Sequence, residues 1–498
     1  MQTPSIHYAP GDCVLLVGPT DLLLKRMETL RIAGLRAALL CSDLPDLGRL
    51  PRGRRALPGR LADVSGWMGA FSARMKGGDG PVDLAPLSFH DDGHFDWVLD
   101  FSGAPAPGKG VAPLGYYTLP PDDFPALKHA LLEIATRLRE GFDKPRYFHF
   151  DADLCAHRRQ GIAGCSACLD ACAAGAISVA GETVRIEPHL CQGCGGCAMV
   201  CPSGATRHAL PGTAIQLVRL RGALSGNVEG VWIGDAETAP AGWLPWPVEE
   251  AASLGLEFWL TALALGAGRT AISARGIPEP GRAALDSQIE LGRALLAGLG
   301  LSPALGQAGA TLEALPPLAP FTPPVGDDKR TLMFAALDHL AAHAASPPAS
   351  IDLSTAAPLG EVRIDAALCT LCAACVRICP ADALNFPGSL GQLAFIESRC
   401  LQCGLCANVC PEKAVTLNPR LLVVRAAREA PRIVAEAEMV ACAGCGQPYT
   451  NRIMQARAQA MMAGHPLFQG EQARLMGLCP DCRQKAMAGA LPALQGPT

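Results

Sequence analysis

The cysteines constrain this chain more than any other feature, because sixteen of its 22 cysteines fall into four short runs. Two runs follow the pattern C-x2-C-x2-C-x3-C-P, in which three thiolates bind one iron-sulfur cube and the fourth reaches a neighbouring cube. These runs are Cys369, Cys372, Cys375, Cys379 with Pro380, and Cys400, Cys403, Cys406, Cys410 with Pro411. The pair therefore predicts two 4Fe-4S clusters.

A second pair of runs is half regular. Its later member, Cys191, Cys194, Cys197, Cys201 with Pro202, follows the pattern, whereas the earlier one consists of Cys155, Cys165, Cys168 and Cys172. The first gap of the earlier run holds nine residues instead of two, and Ala173 replaces the proline. A longer loop costs little closure entropy, so four ligands can still converge. We expect two further clusters here, one of them with a modified edge.

The pattern predicts ligand sets that cross between runs, because each fourth cysteine serves the neighbouring cube. The four sets are Cys155, Cys165, Cys168 with Cys201; Cys191, Cys194, Cys197 with Cys172; Cys369, Cys372, Cys375 with Cys410; and Cys400, Cys403, Cys406 with Cys379.

Disulfides and zinc are the alternative explanations for these runs. The N-terminal sequence MQTPSIHYAP has no basic segment followed by an apolar one, so nothing indicates export to an oxidising compartment, and we expect a cytoplasmic protein. Zinc usually takes two separated CxxC pairs, not repeated CxxCxxC triplets.

Two such CxxC pairs do occur near the C-terminus. They consist of Cys442 and Cys445, and of Cys479 and Cys482. Four thiolates from two pairs suit a closed tetrahedral metal site, for which zinc is the usual occupant. We expect one zinc ion here, with a mononuclear iron as the alternative.

Length and charge limit the remaining possibilities. A chain of 498 residues predicts about three or four domains. The net charge is only -4 and there is no clustered basic stripe, so we expect no nucleic-acid partner. The most apolar segment, residues 254–268, is shorter than the roughly 18 residues of a membrane span and contains Glu257. The sequence does not indicate an oligomeric state.

The order of the patterns predicts a multidomain protein of mixed α/β and α+β class. Strands that alternate with helices indicate two lobes built from parallel βαβ units. The second lobe has strand candidates at Ala214–Leu220, Val231–Gly234 and Thr270–Ser273. The predicted units are an α/β lobe (1–148), a first ferredoxin module (149–211), a second α/β lobe (212–303), a proline-rich linker with a helix (304–358), a second ferredoxin module (359–420) and a C-terminal metal-binding domain (421–498).

No catalytic constellation accompanies the cysteines. The chain has no HExxH, GxSxG or CxxCH motif and no intact dinucleotide or phosphate loop. Ligand sets without an open position indicate a relay for single electrons, so we expect chemistry on a substrate to be done by a partner and not by this chain alone.

The cysteine runs with their Cys-Pro ends resemble bacterial two-cluster ferredoxins over about a quarter of the chain. The segment FHFDADLCAHRRQGIAGCSACLDAC, with the terminal CAGCGQPY and LCPDCR, resembles a family of proteobacterial multi-cluster ferredoxin-like proteins. That resemblance implies a ferredoxin fold for 149–211 and 359–420, electron transfer as the activity, and formate dehydrogenase as a suspected partner.

Two other functions remain open. The chain could be a maturation or assembly factor for a metalloenzyme, with clusters that are structural or donate electrons during cofactor insertion. A lobe could instead bind flavin or nucleotide, which would make the chain an electron-bifurcating subunit.

Overall fold

The structure is a computed structural model that describes residues 4–43, 55–105, 110–224, 228–326, 328–387, 391–465 and 469–490. All 22 cysteines lie within these ranges, and none of them forms a disulfide. Among the helices so described, none combines the length and the apolar character needed to cross a bilayer. The chain is of mixed α/β type.

The first lobe is built on a parallel sheet whose central strand is apolar throughout. All six residues of Cys13–Gly18 are buried, as expected for a strand covered on both faces. The elements are β1 (Ser5–Tyr8), β2 (Cys13–Gly18), α1 (Thr20–Ile32), β3 (Arg36–Cys41), β4 (Ala56–Pro58), β5 (Leu61–Ser65), β6 (Ser72–Gly77), β7 (Gly80–Asp83), β8 (Trp97–Asp100), β9 (Tyr116–Thr118), α2 (Phe124–Glu140) and β10 (Phe142–Pro145). The parallel sheet has the order β4-β3-β2-β8-β9.

The irregular cysteine run carries a small hairpin in its long gap. Arg158–Arg159 pairs with Ile162–Ala163, and Gln160 and Gly161 turn the chain with φ values of 50° and 77°. The first module contains β11 (Phe148–Phe150), β12 (Arg158–Arg159), β13 (Ile162–Ala163), α3 (Ala167–Ala171), β14 (Ile177–Ala180), β15 (Thr183–Ile186), α4 (Gly196–Val200) and β16 (Thr206–His208).

The second lobe also has a parallel sheet, with the order β18-β17-β19-β20. Its elements are α5 (Thr213–Ala223), β17 (Gly230–Ile233), β18 (Trp243–Trp246), α6 (Leu256–Ala264), β19 (Thr270–Ile272), α7 (Gly281–Gly298) and β20 (Leu305–Gln307).

The strand predicted at Ala214–Leu220 is wrong, because this segment lies within helix α5. The helix buries Gln216, Leu217 and Leu220, which recur at helical spacing, and leaves Ile215 and Val218 exposed. The apolar residues at 215, 217, 218 and 220 fit both the helical period and the strand period, so the pattern alone did not distinguish a helix from a strand.

The second module is completed by strands from outside its predicted limits. The elements from here to the C-terminus are α8 (Lys329–Ala342), β21 (Ser350–Asp352), β22 (Gly360–Ile364), α9 (Ala374–Ile378), β23 (Leu384–Asn385), β24 (Gln392–Phe395), α10 (Leu405–Val409), β25 (Val415–Leu422), α11 (Arg425–Glu429), β26 (Arg432–Glu436), β27 (Met439–Ala441), β28 (Pro448–Asn451), α12 (Arg452–Met462) and α13 (Pro480–Ala490). Strand β21 pairs with β25, and β26 pairs with β24.

A single large hydrophobic core joins the second lobe to both modules. Helix α6 is buried at all nine positions and packs against α8. The same core includes Met199 from the first module and Leu421 from the second. The proline-rich segment before α8 is packed as well, since Leu315 is buried and donates a backbone hydrogen bond of 2.9 Å to Gly268.

Lys329 connects this core to the first module through buried polar contacts. Its Nζ donates to the carbonyl oxygen of Ala198 at 2.8 Å and to that of Met199, at the end of α4. The same Nζ lies 3.5 Å from Oε2 of the buried Glu257. One lysine therefore neutralises a buried carboxylate and holds the helix that carries Cys197.

We expect Lys329→Met to lower the midpoint of thermal unfolding, because it leaves the Glu257 carboxylate buried without an opposite charge. Removing one partner of a buried ion pair costs about 3–5 kcal/mol. Scanning fluorimetry under anaerobic conditions measures the shift, and adding Glu257→Gln should recover part of it. Lys128→Met removes an exposed lysine from α2 as a control. Equal shifts in the two lysine variants would contradict the expected role of the pair.

Candidate cluster and metal sites

Each cysteine run folds into the same local unit. The third cysteine of each run, Cys168, Cys197, Cys375 or Cys406, lies in a five-residue helix, which is α3, α4, α9 or α10 respectively. The fourth cysteine directly follows the last residue of that helix and is Cys172, Cys201, Cys379 or Cys410. The irregular run therefore forms the same helix as the regular ones.

In each run, the residue three positions after the fourth cysteine has a left-handed backbone conformation. These residues are Gly175, Gly204, Asp382 and Lys413, with φ between 50° and 73°. The turn directs a backbone N–H at the cysteine sulfur. Ala176, Ala383 and Ala414 donate to Cys172, Cys379 and Cys410 at 3.3, 3.3 and 3.4 Å, and Thr206 donates to Cys201 at 3.5 Å. Such donors stabilise a thiolate. The irregular run forms the same turn although Ala173 stands where the three regular runs have proline.

The irregular run differs from the others at the start of its helix. In the regular runs the residue before the helix is left-handed: Gly195, Ala373 and Gly404 have φ of 76°, 65° and 83°. Ser166, at the same position in the irregular run, has φ of -120°. The irregular run is therefore distinguished from the others by its backbone conformation at this position.

The thiols converge in groups that draw on two runs each. Three small cavities are each lined by four cysteines: Cys155, Cys165, Cys168 and Cys201; Cys369, Cys372, Cys375 and Cys410; and Cys379, Cys400, Cys403 and Cys406. For Cys197, burial raises the thiol pKa well above its usual range, and Cys191, Cys194 and Cys172 add to the shift. The groups match the crossed sets, although the binding of iron by these residues remains a prediction.

Burial dominates the electrostatics of these thiols. It raises the pKa of Cys165, Cys191 and Cys403 to about 11, and that of Cys168 and Cys375 to about 12. Thiolate is the ligating form, so binding iron must release protons and supply the free energy of deprotonation. Four soft sulfur donors that converge in a small cavity with a mostly apolar lining fit an iron-sulfur cube.

A buried lysine and a half-buried arginine lie beside these groups, and the sequence analysis missed both. Lys144 donates from Nζ to the carbonyl oxygens of His189 and Cys191, each at 2.7 Å. Arg330 donates to the carbonyl oxygen of Cys400 at 2.9 Å and also to Ser398 and Pro358. Burial lowers the pKa of Lys144 to about 8 and that of Arg330 to about 10. Isolated basic residues far from any motif carry no sequence signal for this role.

The two modules contact each other at the hairpin of the irregular run. Asn408 donates from Nδ2 to the carbonyl oxygen of Ala163 at 2.9 Å. Gly164 packs so closely on Leu405 that an added Cβ would lie 2.7 Å from its Cγ. The thiol of Cys403 is near enough to contribute to the raised pKa of Cys165. The contact thus lies between one cysteine group of each module.

The C-terminal CxxC pairs form a separate four-cysteine group. The sulfur atoms of Cys442, Cys445, Cys479 and Cys482 all lie within 4.8 Å of one another. The two loops are joined by a hydrogen bond of 3.0 Å from the Ala443 N–H to the Gly477 carbonyl.

Backbone donors also surround this group. The N–H groups of Gly444 and Cys479 donate to Cys442 Sγ at 3.3 and 3.2 Å. The bond from Cys479 contributes most to lowering the pKa of Cys442 to about 6, whereas a thiol hydrogen bond with Cys479 raises that of Cys482 to about 12. Four sulfur donors at this spacing can bind a metal ion in tetrahedral coordination.

Another cavity lies at the carboxyl edge of the first-lobe sheet, where open α/β sheets bind ligands. It has a volume of about 390 Å³, and its lining includes Val17, Asp100 and Tyr116. The amino end of α1, where a phosphate would bind in a dinucleotide fold, already binds a carboxylate. The N–H of Thr20 donates to Asp43 Oδ1 at 2.7 Å. The expectation of a flavin or nucleotide gains no support from this arrangement.

Comparison with known proteins identifies the class to which the cysteine units belong. A family model described as a 4Fe-4S dicluster domain matches the chain twice, over residues 163–205 and 368–414. No curated protein matches the chain. The chain therefore contains two dicluster 4Fe-4S ferredoxin domains and a C-terminal four-cysteine group. Cys155 lies outside the first match.

We expect Cys445→Ser to remove the metal from the C-terminal group and to loosen residues 440–485, while the iron-sulfur absorbance stays intact. The reason is that a tetrahedral site adds folding energy only where its ligands meet, and this group is separate from both dicluster domains. Metal analysis and limited proteolysis of variant and parent test this. A loss of iron from the variant would show that the group supports a cluster or is itself an iron centre.

Proposed function

We propose that this chain is an electron-transfer protein that carries four 4Fe-4S clusters in the crossed ligand sets and one zinc ion at Cys442, Cys445, Cys479 and Cys482. The observation that carries the proposal is that four thiols, drawn from two runs, converge in each of the three small cavities. A bound 4Fe-4S cluster takes up and releases single electrons. The chain itself supplies the ligands, excludes water and sets the charge around them.

The crossed arrangement supports transfer within each module, because each pair of runs shares its fourth cysteines. The contact of Asn408 and Leu405 with residues 163 and 164 supports transfer between the modules. That contact is made by the hairpin that interrupts the irregular run. We therefore propose that the insertion couples the modules, in addition to closing the Cys155 loop.

The partner that we propose is an oxidoreductase, with formate dehydrogenase as the specific candidate. The resemblance to multi-cluster ferredoxin-like proteins is the basis for that candidate. Anaerobic affinity purification from the native cell, followed by identification of the proteins that co-purify, tests this part.

The anaerobically purified protein should contain about 16 iron atoms and about 16 acid-labile sulfides, four of each per cluster. Each of the four clusters should take up and release one electron reversibly, as followed by absorbance and electron paramagnetic resonance. Clusters that stay oxidised at very low potential would instead favour a maturation factor. About 8 iron atoms would mean that one module binds no clusters and would contradict the Cys155 set.

Arg330→Gln should lower the reduction potential of one cluster, because a half-buried positive charge bonded to the Cys400 carbonyl stabilises the added electron. Glutamine keeps a hydrogen-bond donor while it removes the charge. Redox titration followed by electron paramagnetic resonance measures the shift. Arg399→Gln is a matched control, since Arg399 directly precedes Cys400 but is exposed, so its charge is screened by water. Equal shifts in the two variants would contradict a specific effect of Arg330.

A further inference from the structure

A second group of metal-ligating side chains lies in the first lobe, far along the chain from any cysteine run. The segment between β7 and β8 carries His90, His94 and Asp96, and one ligand atom of each lies within 4.8 Å of the others. Asp96 immediately precedes β8, and its carboxylate accepts the N–H of Cys13 at the start of β2. The group therefore lies at the amino edge of the parallel sheet, opposite the cavity at the carboxyl edge.

Asp96 is the buried centre of the group. Its side chain is 2 % exposed, and its Oδ2 accepts the Cys13 N–H at 2.9 Å. The chain makes room for this carboxylate at Gly11, where an added Cβ would lie 2.8 Å from Oδ2. Among the described residues, the ion pairs of Asp96 within 4 Å are with the two histidines, and Arg36 interacts with it at longer range.

Both histidines direct the same ring nitrogen at this carboxylate. His90 Nε2 lies 2.7 Å from Oδ2, and His94 Nε2 lies 3.7 Å from Oδ1. The second distance is too long for a hydrogen bond. It is close to the separation of roughly 3.3 Å that two ligands at about 2.0 Å have around a tetrahedral ion. The two rings are parallel within 9°, with centroids 4.1 Å apart.

A second carboxylate orients one of the rings. Asp92 Oδ1 bonds to Nδ1 of His94, which leaves Nε2 of that ring directed at Asp96. A carboxylate on the remote nitrogen is the arrangement that fixes the tautomer of metal-binding histidines and makes them better ligands. Asp92 thus provides an observation independent of the three ligand atoms. A histidine that served only as a charged partner of Asp96 would not need it.

We propose that His90, His94 and Asp96 bind a divalent transition-metal ion, and that this ion is zinc. Two imidazoles and one carboxylate suit zinc as a three-ligand set, which leaves a fourth position for water. The histidine side chains are 26 % and 25 % exposed, so solvent reaches the fourth position. The ion neutralises Asp96 and ties the segment before β8 to the start of β2. This site is independent of the iron-sulfur proposal and of the C-terminal group.

The test uses the full chain, equilibrated with Zn²⁺ under anaerobic conditions and then desalted. The parent should hold about one more zinc equivalent than the double variant His90→Ala/His94→Ala, with the iron content unchanged. His129→Ala, which removes an exposed histidine from α2, should bind as much zinc as the parent. Zinc X-ray absorption of the parent should show nitrogen or oxygen ligands at about 2.0 Å beside sulfur at about 2.3 Å.

Asp92→Asn separates the orienting role from ligation. It should weaken zinc binding at this site by about 10- to 100-fold, while the zinc content at saturation stays that of the parent. Equal zinc contents in the parent and the double histidine variant, with sulfur as the only zinc ligand in the parent, would overturn the proposal. The absorption measurement on the parent alone decides the matter if the double variant does not fold.

Discussion

The packing of α6 against α8 is the interaction on which the arrangement of this protein depends. Helix α6 is buried at every position, so it has no polar face and can exist only inside a core. The elements that cover it include α8 and strands that lead into the second module. Lys329, at the first turn of α8, then binds the end of α4 in the first module. The two dicluster domains are thereby attached to the same interior.

The local structure of the cysteine units was predictable from spacing alone. A C-x2-C-x2-C-x3-C run needs a turn between its first two cysteines and a helical turn before the last, and all three regular runs have both. The grouping of the thiols across runs also follows from the pattern. What spacing could not predict is the charge around them, because Lys144 and Arg330 act through backbone carbonyls and belong to no motif.

The two lobes show where hydrophobic periodicity fails to predict secondary structure. Strand β2 consists of six consecutive apolar residues, which is the pattern of a strand covered on both faces. Helix α5 was mistaken for a strand because its exposed face carries Ile215 and Val218 beside the buried Leu217. Strands β6 and β7 were missed because SARMKG and GPVD are largely exposed and polar, so their pairing comes from the turn and the neighbouring strand.

The packed proline-rich segment has a consequence for how the two dicluster domains communicate. Residues 315–325 include five prolines among eleven residues. Such a segment would suggest a tether between two domains that meet by diffusion. Here the segment is held against the second lobe by Leu315, and Asn408 bonds directly to the other module. If the cysteine groups bind clusters as proposed, the separation between those clusters is an outcome of folding. Tunnelling across it would have one characteristic rate, insensitive to viscosity, rather than a rate limited by domain encounter.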